Sequence, residues 1–259
     1  MKIVVCVKQV PDTWAERMLR PEDATLDRDA VDAVLNELDE YAVEEALRLA
    51  GQHDGEVTVL SMGPSRTEQT IRKALSMGAD AGIHVLDDAV AGSDAPATAS
   101  VLAQTLRMTE FDLVILGSES TDARTSVVPA MVAEQLGLPQ LTYAVQVTVE
   151  GSTVRISRQT EYGHDVVEAV LPAVVSVVEK INEPRYPSFK GIMAAKKKPV
   201  TTLSLADIGV AASEVGLAHA WTTVRDFAAS PPRQTGTIIT DEGDGGRKLA
   251  EFLAARTFI

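Results

Sequence analysis

At 259 residues the chain is long enough for one large α/β core with an appendage, or for two modest domains. A formal charge of -13, from 37 acidic against 24 basic side chains, opposes non-specific attraction to nucleic acid or an anionic membrane. The single cysteine, Cys6, excludes an internal disulfide and a cysteine metal cluster, and fits a reducing compartment.

Residues 3–7, "IVVCV", read as a buried first strand that delivers the chain to a loop at Pro11. The chain meets this run without a leader pattern, and its longest apolar stretches, such as 169–178, fall short of the roughly 20 residues a membrane-spanning helix needs. A soluble, cytoplasmic protein is expected. After an irregular acidic section, "NELDEYAVEEALRLAG" has a candidate cap at Asn36, acids in the first turn, and apolar groups at Leu38, Ala42, Ala46 and Leu49, which is a helical period. "EVTVLSMG" at 56–63 predicts a second strand. A helix follows in which Thr67 is expected to cap the first turn while Ile71, Ala74 and Leu75 face inward, and "AGIHVL" at 81–86 predicts a third strand.

The alternation continues with a helix from about Asp94 to Met108, a strand at 111–117 and a helix from Ser126 to Leu136 that admits Pro129 in its first turn. Such alternation predicts a parallel sheet, because parallel strands need crossover connections. From residue 141 the sequence turns β-rich, with turn signals at Glu150-Gly151 and Gly163-His164. An antiparallel hairpin is expected there, with one strand, 173–178, returning to the central sheet. Segment 182–199 fits no regular element. The last 60 residues contain "ASPPRQTG" and "TDEGDGGRK", with short helices expected only near 204–208 and 246–256; they read as an arm that orders against something else.

No enzyme motif meets its required spacing. His53, His84, His164 and His219 lack zinc-binding spacing, Ser61, Ser118 and Ser120 lie in no nucleophile elbow, and Glu44-Glu45 and Asp87-Asp88 belong to a solvated helix face and a turn. The glycine fingerprint for dinucleotides is absent after the first strand, and "GDGG" at 243–246 lacks a strand before it. Better placed is "GSESTDARTSVVP", 117–129, which leaves a central strand and enters a helix, where exposed amides can receive a phosphate. Asp122, Arg124, Thr125 and Ser126 offer polar groups there, and Ser126, Val127 and Val128 offer backbone N–H groups. The alternative is an ordinary polar loop and cap. Cys6 is either a ligand wall or a small buried hydrophobe, and Asn36 either a helix cap or an adenine contact.

Taken together, "VKQVPD" (7–12), "AVEEALRL" (42–49), "IRKALSMGAD" (71–80), "LPAVVSV" (171–177) and "NEPRYPSFKGIMAAKKK" (182–198) resemble the beta subunit family of electron transfer flavoproteins along essentially the full chain. The resemblance implies a three-layer, mostly parallel Rossmann-like α/β fold with an added antiparallel section and an extended C-terminal arm. It divides the chain into a nucleotide-binding-like domain (1–182), a partner-recognition loop (183–199) and an arm packing on an alpha subunit (200–259). It implies AMP in this chain, near Cys6, Asn36, Glu37, Leu38, Asp39, Met62 and Gly117 and along Asp122, Arg124, Thr125, Ser126, Val127 and Val128. FAD would sit mainly in the alpha subunit.

"ARTSVVP" departs from relatives with small and amide residues at the phosphate end. A backbone contact tolerates the valines, whereas side-chain hydrogen bonds would be lost. The recognition loop is expected to dock flavin-containing dehydrogenases, such as acyl-CoA dehydrogenase, through Pro184, Arg185, Tyr186, Phe189, Lys190, Ile192 and Met193. Phe189 stands at the apolar anchor position, and Lys190 and Lys196 to Lys198 are expected to orient acidic surfaces. The family role implied is electron transfer from a dehydrogenase through the alpha-bound FAD to a quinone reductase, in connection with fatty acid oxidation, with no substrate turnover and no nucleic acid partner. Three alternatives stand beside this role: a bifurcating subunit with a second FAD, a nucleotide-binding regulatory protein, and a nucleotide hydrolase, which would turn over as the isolated chain.

Overall fold

The apolar run that opens the chain forms strand β1, Lys2–Cys6, buried from Ile3 onward. In the computed structural model, which describes residues 1–229, 231, 232, 236, 238 and 240–258, the chain then makes β2 (Gln9–Pro11). This pairs antiparallel with β3 (Ala33–Leu35) in a separate two-stranded ribbon, a pairing without signal in the sequence of the acidic section. Helix α1 (Glu37–Gln52) buries Ala42, Val43, Ala46 and Leu49, as its period demands.

Strand β4 (Glu56–Met62), helix α2 (Thr67–Met77), strand β5 (Ala81–Val85) and helix α3 (Ala95–Arg107, capped by Asp94) follow in the expected order. After β6 (Leu113–Gly117), helix α4 spans Val128–Leu136. It starts two residues later than expected, because Ser126 has φ +56°, a left-handed conformation that a helix does not admit. Thr67 does not cap α2: it is the first helical residue, and its Oγ1 is buried without a partner among the described residues.

The β-rich section makes β7 (Gln140–Glu150), β8 (Thr153–Thr160), β9 (Gly163–Val170) and β10 (Ala173–Val177). The expected return of 173–177 to the central sheet is observed, with β10 inserted between β6 and β7 and parallel to both. Two elements lie where none was expected: helix α5 (Phe189–Ala195) and strand β11 (Val200–Leu203), which pairs parallel with β5.

The sheet order is β11-β5-β4-β1-β6-β10-β7-β8-β9. The first seven strands in that order run parallel, and β8 and β9 extend them antiparallel. Strand residues alternate between two cores, as the pleat requires. Ile3, Val5, Val57, Val59, Leu113 and Ile115 pack with α1 and α2, whereas Val4, Leu60, Val114 and Leu116 pack with α3 and α4. Both faces of the sheet are therefore covered, giving a three-layer, mostly parallel Rossmann-like α/β fold. Each fully buried aliphatic side chain contributes about 1.5–3 kcal/mol of transfer free energy.

Residues Met1–Arg225 form one compact unit and Asp226–Ile259 another. The stretch expected to leave the fold at 200 instead supplies β11, and Leu205, Ile208, Val210 and Val215 join the core on the α3 and α4 side. The turn at 205–209 replaces the short helix expected near 204–208. In the second unit α6 (Gly245–Ala255) forms close to the expected helix, behind Asp241, whose carboxylate accepts the N–H groups of Gly243 and Gly245. Part of the breaker-rich stretch 229–236 lies outside the described residues.

Candidate functional site

Chain order turns back at β1: β4 and β5 build outward on one side, and β6 is laid on the other. The connection after β1 leads to α1 on one face of the sheet, and the connection after β6 leads to α4 on the opposite face. Adjacent parallel strands whose connections diverge leave a crevice at their carboxyl ends, the usual ligand position in open α/β sheets. Cys6, Met62 and Gly117 are the last residues of β1, β4 and β6, so three of the expected site residues meet at this edge.

The amino end of α1 closes one side. It approaches β6 so nearly that a Cβ on Gly117 would lie 2.5 Å from Asp39 Oδ1 and 3.0 Å from the Leu38 carbonyl carbon. Asn36 occupies the cap position but makes no side-chain cap. Its Nδ2 donates to Glu119 O at 3.0 Å and its Oδ1 accepts the Thr121 N–H at 3.0 Å, lacing α1 to the loop after β6. Asp39 is buried and accepts the Lys8 N–H at 2.8 Å. Burial pushes its carboxyl up to about 7, against the pull of the Lys8 and Gly117 amides. Glu37 is exposed and Leu38 half-buried beside them.

The loop 117–128 closes the other side. Asp122, expected to face a ligand, spends its carboxylate on Lys8 Nζ at 2.9 Å and Arg28 Nη2 at 2.7 Å, with its own side chain 1% exposed. Burial alone would raise this carboxyl; the charges of Lys8 and Arg28 overcome that and hold it well below the usual carboxylate range. Lys8 also donates to Ser120 Oγ at 3.3 Å. Asp122 thus ties the loop to the segment after β1, and Lys8 and Arg28 are functional neighbours that sequence reasoning did not nominate. Lys8 stands in "VKQVPD" directly after the first strand, a position that marks it; Arg28 carries no local signal.

Beyond Asp122, Arg124 (φ +49°) and Ser126 (φ +56°) take left-handed conformations, and Val127 is right-handed. Ser126 is held there from two sides: its Oγ donates to Glu119 Oε2 at 2.7 Å, and its carbonyl accepts Tyr143 Oη at 3.1 Å. A left-handed residue followed by a right-handed one turns successive N–H groups to one side, a concave anion receptor. The N–H groups of Ser126, Val127 and Val128 have no acceptor among the described residues, and they open onto the positive end of α4. Arg124 and Thr125 are exposed at the loop tip. Tyr143 was not foreseen; it lies in a bulged part of β7 with φ +61°, its N–H donating to Ser176 Oγ at 3.0 Å.

A nucleotide is tested here by the donor set. A row of free backbone amides suits phosphate oxygens whatever side chains stand there, and Thr121 Oγ1 is buried with no partner among the described residues. The residues fit such a group. Cys6 is 5% exposed, and burial raises its thiol well above the ordinary range, which makes it wall rather than nucleophile. Ser61 and His84 are likewise internal: Ser61 donates to Val7 O at 2.8 Å, and His84 Nε2 lies 3.0 Å from Gly63 O.

The second expected cluster lies apart, along α1 and α2. Ser188 caps α5 by accepting the Gly191 N–H at 3.0 Å, so the segment expected to lack regular structure contains a helix. Tyr186 is 94% exposed and Phe189 81%, with Ile192 and Met193 also exposed, whereas Ala195 is buried. Pro184 is half-buried and Lys190 exposed. Arg185 is committed internally: its Nε and Nη2 meet Glu44 of α1 at 2.7 and 2.8 Å in a two-pronged pair. Lys198 is committed too, donating through Nζ to the carbonyls of Leu75, Gly78 and Ala79, whereas Lys196 and Lys197 stay exposed.

Fold and crevice together define a doubly wound α/β protein with a crevice at its switch point. The family model of the electron transfer flavoprotein domain matches residues 23–208. The chain is 55% identical to an electron transfer flavoprotein subunit beta of Mycobacterium leprae and 53% identical to that of Mycobacterium tuberculosis (strain H37Rv), each over 99% of both chains. It is 36% identical to a caffeyl-CoA reductase-Etf complex subunit of Acetobacterium woodii, over 93% of this chain and 92% of that one. The chain belongs to the electron transfer flavoprotein family, among its beta subunits. Family membership makes it an electron-transfer subunit, and a beta subunit has an alpha subunit for its partner. No helix among the described residues is long and apolar enough to cross a membrane.

Proposed function

We propose that this chain docks flavin-containing dehydrogenases, acyl-CoA dehydrogenase among them, against a heterodimer whose alpha subunit carries FAD. The heterodimer is a soluble carrier of the cytoplasm, and it passes the electrons on toward a membrane quinone reductase, in the service of fatty acid oxidation. The flavin, when bound in the alpha subunit, supplies the redox chemistry. This chain's residues bind and orient. The observation that carries the reading is the exposed apolar group Tyr186, Phe189, Ile192 and Met193 on a segment anchored to α1 and α2. An exposed aromatic presents a large apolar contact and loses little rotamer freedom on docking, and Lys190, Lys196 and Lys197 steer acidic surfaces.

AMP fits the crevice as a structural ligand. Its phosphate would rest on the N–H groups of Ser126, Val127 and Val128, and its base near Cys6, Leu38 and Met62, with Asn36 and Asp39 holding the walls together. A seat made of backbone amides takes a monophosphate or a diphosphate, and this favours a second reading in which the crevice holds a second FAD and the heterodimer bifurcates electrons. The mass and absorbance of the nucleotide released from the purified heterodimer separate the two.

Docking is tested by Phe189→Ala in the heterodimer, with dehydrogenase-dependent flavin reduction as the readout. The KM for the heterodimer is expected to rise about tenfold or more, the loss typical of a buried aromatic anchor, while nucleotide content stays unchanged. An unchanged KM would remove Phe189 from the dock.

A further inference from the structure

A seven-residue helix is too short to persist in water by itself, so the orientation of α5 is imposed from outside. The imposition is an exchange of helix ends. From α2, Arg72 Nη1 donates to Ala195 O at 2.8 Å and Lys198 O at 2.7 Å, satisfying carbonyls at and just beyond the carboxyl end of α5. The guanidinium is aimed by Glu68, one turn earlier, whose Oε1 accepts Nε at 3.1 Å and Nη2 at 2.9 Å. In return Lys198 Nζ donates to Leu75 O and Gly78 O, each at 3.1 Å, and to Ala79 O, placing a cation at the negative end of α2. Between the two caps Gly191 lies so close to α2 that a Cβ would be 2.6 Å from Ser76 O.

These contacts leave α5 one roll about its axis, with Ala195 inward and Phe189, Ile192 and Met193 outward. We infer that Arg72 and Lys198 are positioning residues for dehydrogenase docking: their donors are spent inside the chain, and they hold the apolar face of α5 in its docking orientation by capping each other's helices. Of the three consecutive lysines, Lys198 is the internal one, and the charge offered to a partner comes from Lys190, Lys196 and Lys197. This inference rests on the docking reading above.

The test uses the intact heterodimer with Arg72→Met, Lys198→Met, Lys197→Met and Phe189→Ala, keeping the aliphatic stems of the basic residues. Affinity for acyl-CoA dehydrogenase is measured over a salt series, and hydrogen exchange of amides 189–195 is followed in the free heterodimer. Arg72→Met and Lys198→Met are expected to speed exchange across α5 and weaken docking about tenfold, as when the competent orientation falls to about a tenth of the population. The dependence of affinity on salt should stay native, because the charges removed face inward. Lys197→Met should flatten the salt dependence and leave exchange native. Lys198→Arg, which keeps the donor, should restore docking.

Two results overturn the inference: Lys198→Met behaving as Lys197→Met does, or Arg72→Met and Lys198→Met docking as the native protein while Phe189→Ala does not. Native docking by Phe189→Ala overturns the docking reading itself, and the inference with it. Thermal unfolding and nucleotide content, expected native in every variant, separate lost positioning from lost folding; a collapse of both in Arg72→Met and Lys198→Met would make the residues general supports and also overturn it.

Discussion

Asp39 and Asp122 sit on opposite walls of the crevice, and their titrations run in opposite directions. The folded carboxyl of Asp39 titrates at about 7 against an ordinary 3.8, so the folded chain holds that proton more tightly than the unfolded one. Its contribution is fully present below pH 3.8 and is lost as pH rises through about 7, by about 4 kcal/mol at most. Asp39→Asn is expected to flatten the fall in unfolding free energy between about pH 4 and about pH 7, measured by denaturant titration at each pH. Asp122 is depressed by Lys8 and Arg28, so its contribution is present above the ordinary carboxylate pKa and lost as pH falls below it. Asp122→Asn should cost about 2 kcal/mol near neutrality, discounted because both cations are more than a third exposed, and should flatten the acid limb. Gly117→Ala forces a methyl against Asp39 and Leu38, and is expected to destabilise by about 1–3 kcal/mol and to empty the crevice of nucleotide, read by denaturation and by nucleotide content. Sequence located this neighbourhood without its wiring. Asp122 meets Lys8 and Arg28 across 114 and 94 positions of chain, and Tyr143 meets Ser126 only because β7 bulges, so local spacing holds no trace of either.

Among the elements, legibility followed periodicity and length. β1, β6 and β10 are short, mainly apolar runs buried on both faces, β4 and β5 are mainly buried between helical segments, and α1 to α3 repeat apolar groups at helical spacing; these patterns survive in sequence. β11 reads "VTTL" on the sheet edge with two of its four residues exposed, and α5 is seven residues with a glycine in its first turn; neither shows a period. Their order comes from tertiary contacts, the addition of β11 to β5 and the seating of α5 on α2. Gly191→Ala tests the seating at this scale. With backbone oxygen 2.6 Å from the new methyl, α5 must lift, so exchange of amides 189–195 should quicken while amides of β1 and β6 keep native protection.

At the scale of the molecule the chain divides at Arg225, and the sheet, crevice and α5 all belong to Met1–Arg225. Within the second unit α6 buries none of its residues: Leu249 is exposed, Phe252 lies under Arg256, and the helix surface is laced by Asp244, Lys248, Arg247 and Glu251. Removing 226–259 is expected to leave denaturant unfolding of the first unit within about 0.5 kcal/mol of native, and to abolish copurification with the alpha subunit. The role of the whole chain is decided by coexpression with the alpha subunit, release and identification of the bound cofactors, and dehydrogenase-driven flavin reduction by the heterodimer and by each chain alone. One FAD and one AMP per heterodimer are expected, with reduction only when both chains are present. A reducible flavin held by this chain alone, completing electron transfer without a companion, would refute the docking role.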